Sequence, residues 1–245
     1  MAKKIMDLNK YSLVPKYKDV FSLANEGNAE MLWVIPASPQ AGHNLVALTF
    51  PTDYPLPQPN QQVFAARSYF FDSFVNSFGA GDSRKNLIVT EYVNTSGKKI
   101  QLLGFDQSLS GKYEFDPNAA GPTQGNDLPM VRYADILLSR AEALNELNGP
   151  TQEAIDLINR VRTRAGASPL TLGSFTKETL RDHILKERDW EFYAEQKRRE
   201  DLIRHGKFIS NAKSKGKNAQ PFHVLFPLPV TELNANPNLV QNLGY

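Results

Sequence analysis

Three glutamates, Glu187, Glu191 and Glu195, recur at four-residue intervals. On a helix that spacing puts all three carboxylates on one face. Paired carboxylates are the working groups of glycosidases, and carboxylates on facing helices hold metals in bundles. The bundle chemistry needs Glu-x-x-His pairs, and His43, His183, His205 and His223 form none. Like charges four apart repel, so the ridge must be answered by cations. Arg188, Arg198, Arg199 and Arg204 are at hand, with Arg160, Arg162 and Arg164 on the segment before. Glu187, Arg188, Glu191, Glu195, Arg198 and Arg199 are therefore read as a structural ion network that fixes helix packing. Arg132 and Asp135, on either side of Tyr133, read as a local ion pair. No HExxH, GxSxG or Ser/His/Asp arrangement is legible, and Gly79-Ala80-Gly81-Asp82 lacks the Lys and Ser/Thr of a phosphate loop. No catalytic group, metal set or cofactor is expected.

Sugar recognition has another signature. Pyranose C–H faces stack on flat aromatic rings, and their hydroxyls need amides, carboxylates or Arg in place of water. Residues 36–60 supply both kinds of group. Pro36, Pro39, Pro51, Pro55, Pro57 and Pro59 make this stretch irregular surface chain. Within and just after it stand His43, Asn44, Phe50, Asp53, Tyr54, Asn60, Gln61, Gln62 and Tyr69. Tyr54 leads the candidates, because flanking prolines would hold it out in a fixed pose and reduce its ordering entropy. For any one of these rings, folding onto the protein's own surface is the competing reading. Trp33 and Trp190 read as core.

Composition sets the outer limits. The chain has 245 residues, 41% apolar, with a formal net charge of +2, so a sizeable core can form. Nucleic acid is not expected as a partner, since phosphate binding needs a concentrated basic stripe. The densest basic run, Lys213 to Lys217, reads as a solvated loop. Without cysteine there is no disulfide frame, thiolate zinc site or thiol nucleophile. No stretch approaches the roughly 18 apolar residues of a membrane span. The N-terminal Met-Ala-Lys-Lys-Ile-Met-Asp has no apolar region behind it and is not read as a signal peptide.

The elements that must position these groups fall into two regions, 1–127 and 128–245. In the first, Met31–Ile35 predicts a short buried strand ended by Pro36, and residues 68–78 a short helix ended by Gly79. Residues 86–92 and 98–105 flank Asn94-Thr95-Ser96-Gly97 and predict a β-hairpin. In the second region, Val131, Ala134, Leu138, Ala141 and Leu144 recur at helical spacing, as do Ala154, Ile155, Ile158, Val161 and Ala165. Asn148-Gly149-Pro150 separates the two, so they are predicted to pack as an antiparallel hairpin of tetratricopeptide type. A third helix is expected from Thr176 to about His205, then a proline-punctuated tail.

Three blocks resemble the SusD/RagB family of Bacteroidetes: residues 128–149 with 154–166 (LPMVRYADILLSRAEALNELNG, AIDLINRVRTRAG), residues 184–208 (ILKERDWEFYAEQKRREDLIRHGKF) and residues 226–245 (FPLPVTELNANPNLVQNLGY). KYSLVPKYKDVF and the GDSRK of residues 81–85 also fit that family's middle section. The resemblance implies a mainly α, SusD-like fold of tetratricopeptide-like hairpins with long irregular loops. It implies a non-enzymatic lipoprotein on the cell outer membrane that captures an oligosaccharide or other nutrient and delivers it to a TonB-dependent, SusC-like transporter. No lipobox cysteine is present, so the lipid anchor is expected outside this chain. The rival readings are a scaffold that binds only the transporter barrel, and a carbohydrate-active enzyme using the Glu187–Glu195 ridge.

Overall fold

The computed structural model describes residues 1–245, which divide into two compact units, Met1–Glu195 and Gln196–Tyr245. In chain order the first unit contains α1 (Ala2–Asp7), β1 (Met31–Ile35), α2 (Asp72–Val75), β2 (Ile88–Val89), β3 (Glu91–Val93), β4 (Lys99–Gln101), β5 (Leu109–Ser110), β6 (Leu128–Arg132), α3 (Tyr133–Asn148), α4 (Gln152–Arg164) and α5 (Lys177–Phe192). The strands form three separate antiparallel pairs, β1–β6, β2–β5 and β3–β4. The architecture is mainly α, with short strands among long irregular segments. The boundary drawn from sequence at 127/128 lies inside this unit, where β1 pairs with β6 across it.

Gly149 ends α3 at φ 75°, a conformation that side chains with a Cβ rarely adopt. Thr151 then caps α4, its hydroxyl accepting the Ala154 N–H at 3.2 Å. The turn sets Ala134, Leu137, Leu138 and Ala141 against Ala154, Ile155, Ile158 and Val161, all of them buried. Alanines on both faces allow close approach, and the pair is the helical hairpin that the periodicity predicts. Leu180, Ile184 and Phe192 of α5 close this core from a third side. Full burial of each such Leu or Ile is worth about 1.5–3 kcal/mol.

A second core is built by the loop-rich chain from Tyr17, Val20, Phe21, Val46, Phe50, Val75, Phe78, Leu109 and Tyr113. Trp190 of α5 enters it, with its indole N–H donating to Ser77 Oγ at 2.8 Å. One helix thus anchors both cores, with Trp190 in the core position read from sequence.

Three expectations need correction. Trp33 is not core but 60% exposed. Side chains alternate along a strand, and in β1 it is Leu32 that packs on the helical core. Residues 68–78 form only the single turn α2; ahead of it Phe70 is extended and bridges to Ser108, its N–H donating to the Ser108 carbonyl at 2.8 Å. The third helix stops at Phe192 rather than about His205. Its last carbonyls are taken by other donors: Glu191 C=O by the Tyr17 hydroxyl at 2.6 Å, and Tyr193 C=O by Lys112 Nζ at 2.6 Å. Ala194 and Gln196 then turn at φ 57° and 61°.

The second unit contains α6 (Arg198–Arg204), α7 (Phe208–Ser214) and α8 (Val230–Ala235). Its tail is fixed mainly by side chains bonding to backbone. Gln241 both donates to and accepts from Leu228, the Tyr245 hydroxyl donates to the Leu225 carbonyl at 2.8 Å, and Arg199 bonds the Val224 carbonyl while lying over the Phe226 ring.

Candidate functional site

Two clusters of charged and aromatic groups lie in the first unit, one closed and one open. In the closed one, Glu187 and Glu191 project from α5 into the interior, and Glu195 joins them from the turn just past the end of that helix. Arg84 reaches Glu187 at 2.7 Å and Glu191 at 3.3 Å, while its other nitrogens grip Asp82 at 2.7 and 2.9 Å. Arg132 holds Glu195 through two bonds of 2.7 and 2.8 Å, Glu191 at 3.0 Å, and Glu30 as well. Arg164 bridges Glu30 and Glu191, Arg162 meets Glu187 at 2.6 Å, and Lys112 meets Glu195 at 2.8 Å. Five carboxylates and five cations balance, and each is bonded to at least one opposite charge.

The electrostatics follow from that pairing. Burial works to raise the Glu187 carboxyl, but Arg84, His183 and Arg162 outweigh it and bring its pKa down to about 2. Glu191 is likewise held low against its burial by Arg164, Arg132 and Arg84. Burial lowers Lys112 to about 8, even with the pull of Glu195 beside it. Carboxylates so acidic and so fully paired are neither free proton donors nor accessible nucleophiles. The ridge joins segments distant in sequence.

The cations differ from those expected from sequence. Arg188 pairs with Asp135 at 2.7 Å, which leaves Arg132 for the interior rather than for a local pair with Asp135. Arg199 works within the tail and Arg204 pairs with Asp201; Arg198 begins α6 in that same unit. Glu30, Asp82 and Lys112 come from irregular chain and Arg84 from the short 3-10 turn Ser83–Leu87, where no periodicity marks them; only the GDSRK block hinted at two of them.

The open cluster gathers around the proline-rich segment. Tyr54 stands with its ring centroid 4.4 Å from Phe50, 5.1 Å from Tyr92 and 6.2 Å from Phe115. Phe50 is 3% exposed and serves as the floor of this stack, not as a ligand-facing ring. Tyr54 itself is only partly buried, so the prolines seat it on an aromatic base instead of displaying it freely. Asp53 accepts the Tyr92 hydroxyl at 2.6 Å and the Asn94 amide at 3.0 Å, and its backbone carbonyl accepts the Thr95 N–H at 2.9 Å. Those bonds tie the loop to the β3–β4 hairpin. They also hold the Asp53 carboxyl below its usual range, Tyr92 first and Asn94 second. The Tyr92 hydroxyl is raised in turn, by desolvation and then by Asp53.

Tyr69 is 48% exposed, its hydroxyl donating to the Ala66 carbonyl at 3.2 Å, and it is near enough to add to the rise at Tyr92. Asn44 is exposed. His43 has both ring nitrogens engaged by backbone: Nδ1 accepts from Leu45 N–H at 3.2 Å and Nε2 lies 2.9 Å from the Asn126 carbonyl. Desolvation lowers its pKa, and it acts as a strut for the loop rather than as an open contact. Tyr92, Asn94 and Phe115 are the members that sequence reasoning missed, although the hairpin carrying the first two was legible. The arrangement offers aromatic faces beside a carboxylate whose spare lone pairs can accept hydroxyl hydrogens.

The first unit thus joins an α-helical hairpin scaffold, a buried ion cluster and a loop-borne aromatic and carboxylate surface. The SusD family model matches residues 112–245, and the chain belongs to the SusD family. SusD-like protein P25 of Formosa agariphila is 28% identical over 99% of this chain and 54% of its own length. Starch-binding protein SusD of Bacteroides thetaiotaomicron is 31% identical over 68% of this chain and 31% of its own length. Among solved structures, a SusD superfamily protein from Parabacteroides distasonis superposes with a TM-score of 0.80 at 24% identity, covering 100% of this chain and 56% of that one. Surface glycan-binding protein A from B. thetaiotaomicron in complex with laminarihexaose gives 0.78 at 22%, covering 98% and 58%. The chain thus spans about half the length of P25 and of these solved structures.

Proposed function

We propose that this chain belongs to a non-catalytic protein that captures an oligosaccharide or polysaccharide at the bacterial cell surface. The observation that carries this reading is the proline-braced stack of Phe50, Tyr54, Tyr92 and Phe115, with Asp53 and exposed Tyr69 beside it. The relatives' printed names agree with it, one binding starch and another carrying laminarihexaose. In such a protein the captured glycan passes to a TonB-dependent, SusC-like barrel, and a lipid anchor outside this chain holds the whole at the outer membrane. The absence of turnover is supported by the state of the ridge, because Glu187, Glu191 and Glu195 are neutralised by buried cations. Affinity electrophoresis against a panel of polysaccharides tests the reading. At least one gel-embedded glycan should retard the wild-type protein while releasing no reducing ends; retardation by none would reject it.

One observation favours a second reading, a scaffold that engages only the barrel. The tail leaves Leu225, Phe226, Val230, Val240 and Leu243 more than half exposed, and large exposed apolar patches mark protein contacts. Capture of the barrel together with silence on every glycan would select it.

A further inference from the structure

The proposed glycan site carries an unneutralised carboxylate at its centre. Asp53 takes one donor on each oxygen, Tyr92 OH on Oδ1 at 2.6 Å and Asn94 Nδ2 on Oδ2 at 3.0 Å. An ionised carboxylate has about four lone-pair positions, so each oxygen retains one for a visitor. The two protein donors and the bond from Thr95 N–H to the Asp53 carbonyl fix the plane of the group. Asp53 makes no ion pair; the Tyr92 hydroxyl first and the Asn94 amide second hold it low, with a smaller opposing effect of desolvation and a smaller aid from its own backbone N–H. By contrast, each glutamate of the α5 ridge is paired with Arg or Lys.

From this we infer that the site selects neutral glycans, with Asp53 accepting two hydroxyl hydrogens of one sugar ring and repelling uronates and sulfated sugars. Two spare lone pairs on one planar carboxylate match adjacent hydroxyls, in the way a carboxylate receives a forked pair of donors. The neighbouring ring of Tyr54, backed by Tyr92, supplies the stacking face. An incoming carboxylate or sulfate meets the charge of Asp53 with no compensating cation, a repulsion that works against binding. Tyr92 and Asn94 are then positioning residues, which aim the carboxylate without being required to touch the sugar. The inference rests on the glycan-capture reading above.

The test compares neutral and anionic polysaccharide panels by affinity electrophoresis, then oligosaccharides of the best neutral hit by calorimetry, all at pH 7 and with full-length chain. Wild-type protein should bind a neutral glycan and bind alginate, pectin and sulfated galactans at least about tenfold more weakly. Asp53→Asn should lose about tenfold in neutral affinity, the scale of a lost charge-assisted hydrogen bond, while its neutral-to-anionic ratio collapses. Tyr92→Phe keeps the ring and the negative charge but loses the clamp, so neutral affinity should fall severalfold while the discrimination stays. That split separates charge selection from mere loss of loop structure, which would move both variants alike. Anionic glycans bound as well as neutral ones by wild type, or an unchanged ratio in Asp53→Asn, overturns the inference and leaves glycan capture standing. Retardation by no glycan at all overturns both.

Discussion

The α5 ion cluster and the proline-rich loop are built from the same kinds of residue, carboxylates beside aromatic rings, and differ in how those carboxylates are paired. At α5, Glu187, Glu191 and Glu195 are buried, and Arg or Lys answers every one of them. In the loop, Asp53 is answered only by a hydroxyl and an amide, and Tyr54 and Tyr69 keep surface open to solvent. Residue type alone does not separate the two surroundings. Whether the charge is neutralised inside the protein does. A paired, buried charge fixes how segments meet, whereas an unpaired, accessible one keeps interaction capacity for a ligand.

Breaking the closed cluster should give the largest effect. Arg132→Ala takes one cation from each of Glu30, Glu191 and Glu195 and leaves the buried cluster one positive charge short, and removal of one partner from a buried pair costs about 3–5 kcal/mol; denaturant unfolding of the first unit should register a loss of that size. The same cluster should make the protein acid-labile. Glu187 folds with its pKa depressed to about 2. Its contribution is therefore complete above the unfolded value and is lost as pH falls toward 2, on the order of 3 kcal/mol across that window. Unfolding midpoints measured from pH 5 to pH 2 should decline, and a flat profile would refute the buried pairing. In the open cluster the effect moves from stability to binding: Tyr54→Ala should weaken glycan affinity by about tenfold, the scale of a lost aromatic contact. The smallest change is expected at exposed Trp33, where Trp33→Ala should shift unfolding free energy by no more than about 0.5 kcal/mol. A loss of several kcal/mol there would mean that the ring is packed after all.

The same contrast explains what was legible in the sequence. The α3–α4 hairpin could be read because Ala134, Leu138 and Ala141 repeat with the helical period and Gly149 punctuates them. The end of α5 could not, because it is set by Tyr17 and Lys112, more than 75 residues away in the chain and bonded to helix carbonyls. The acids of the ridge were visible through their spacing, but their true partners Arg84 and Lys112 lie in loops without pattern. At the loop, composition singled out the segment in which the structure gathers Asp53 and Tyr54 with an aromatic stack. It did not reveal that Phe50 is floor and His43 a strut, since burial there depends on chain crossing from residues 92, 115 and 126. Helical faces repeat and so can be read locally; a site assembled from irregular chain cannot.

The most direct measurement pairs calorimetric glycan titration with thermal unfolding for wild type and the double variant Tyr54→Ala/Tyr69→Ala. Binding heat should vanish in the variant while its unfolding midpoint stays within a few degrees of wild type. Unaltered affinity, or binding lost only along with the fold, would contradict the division between a closed structural cluster and an open recognition surface.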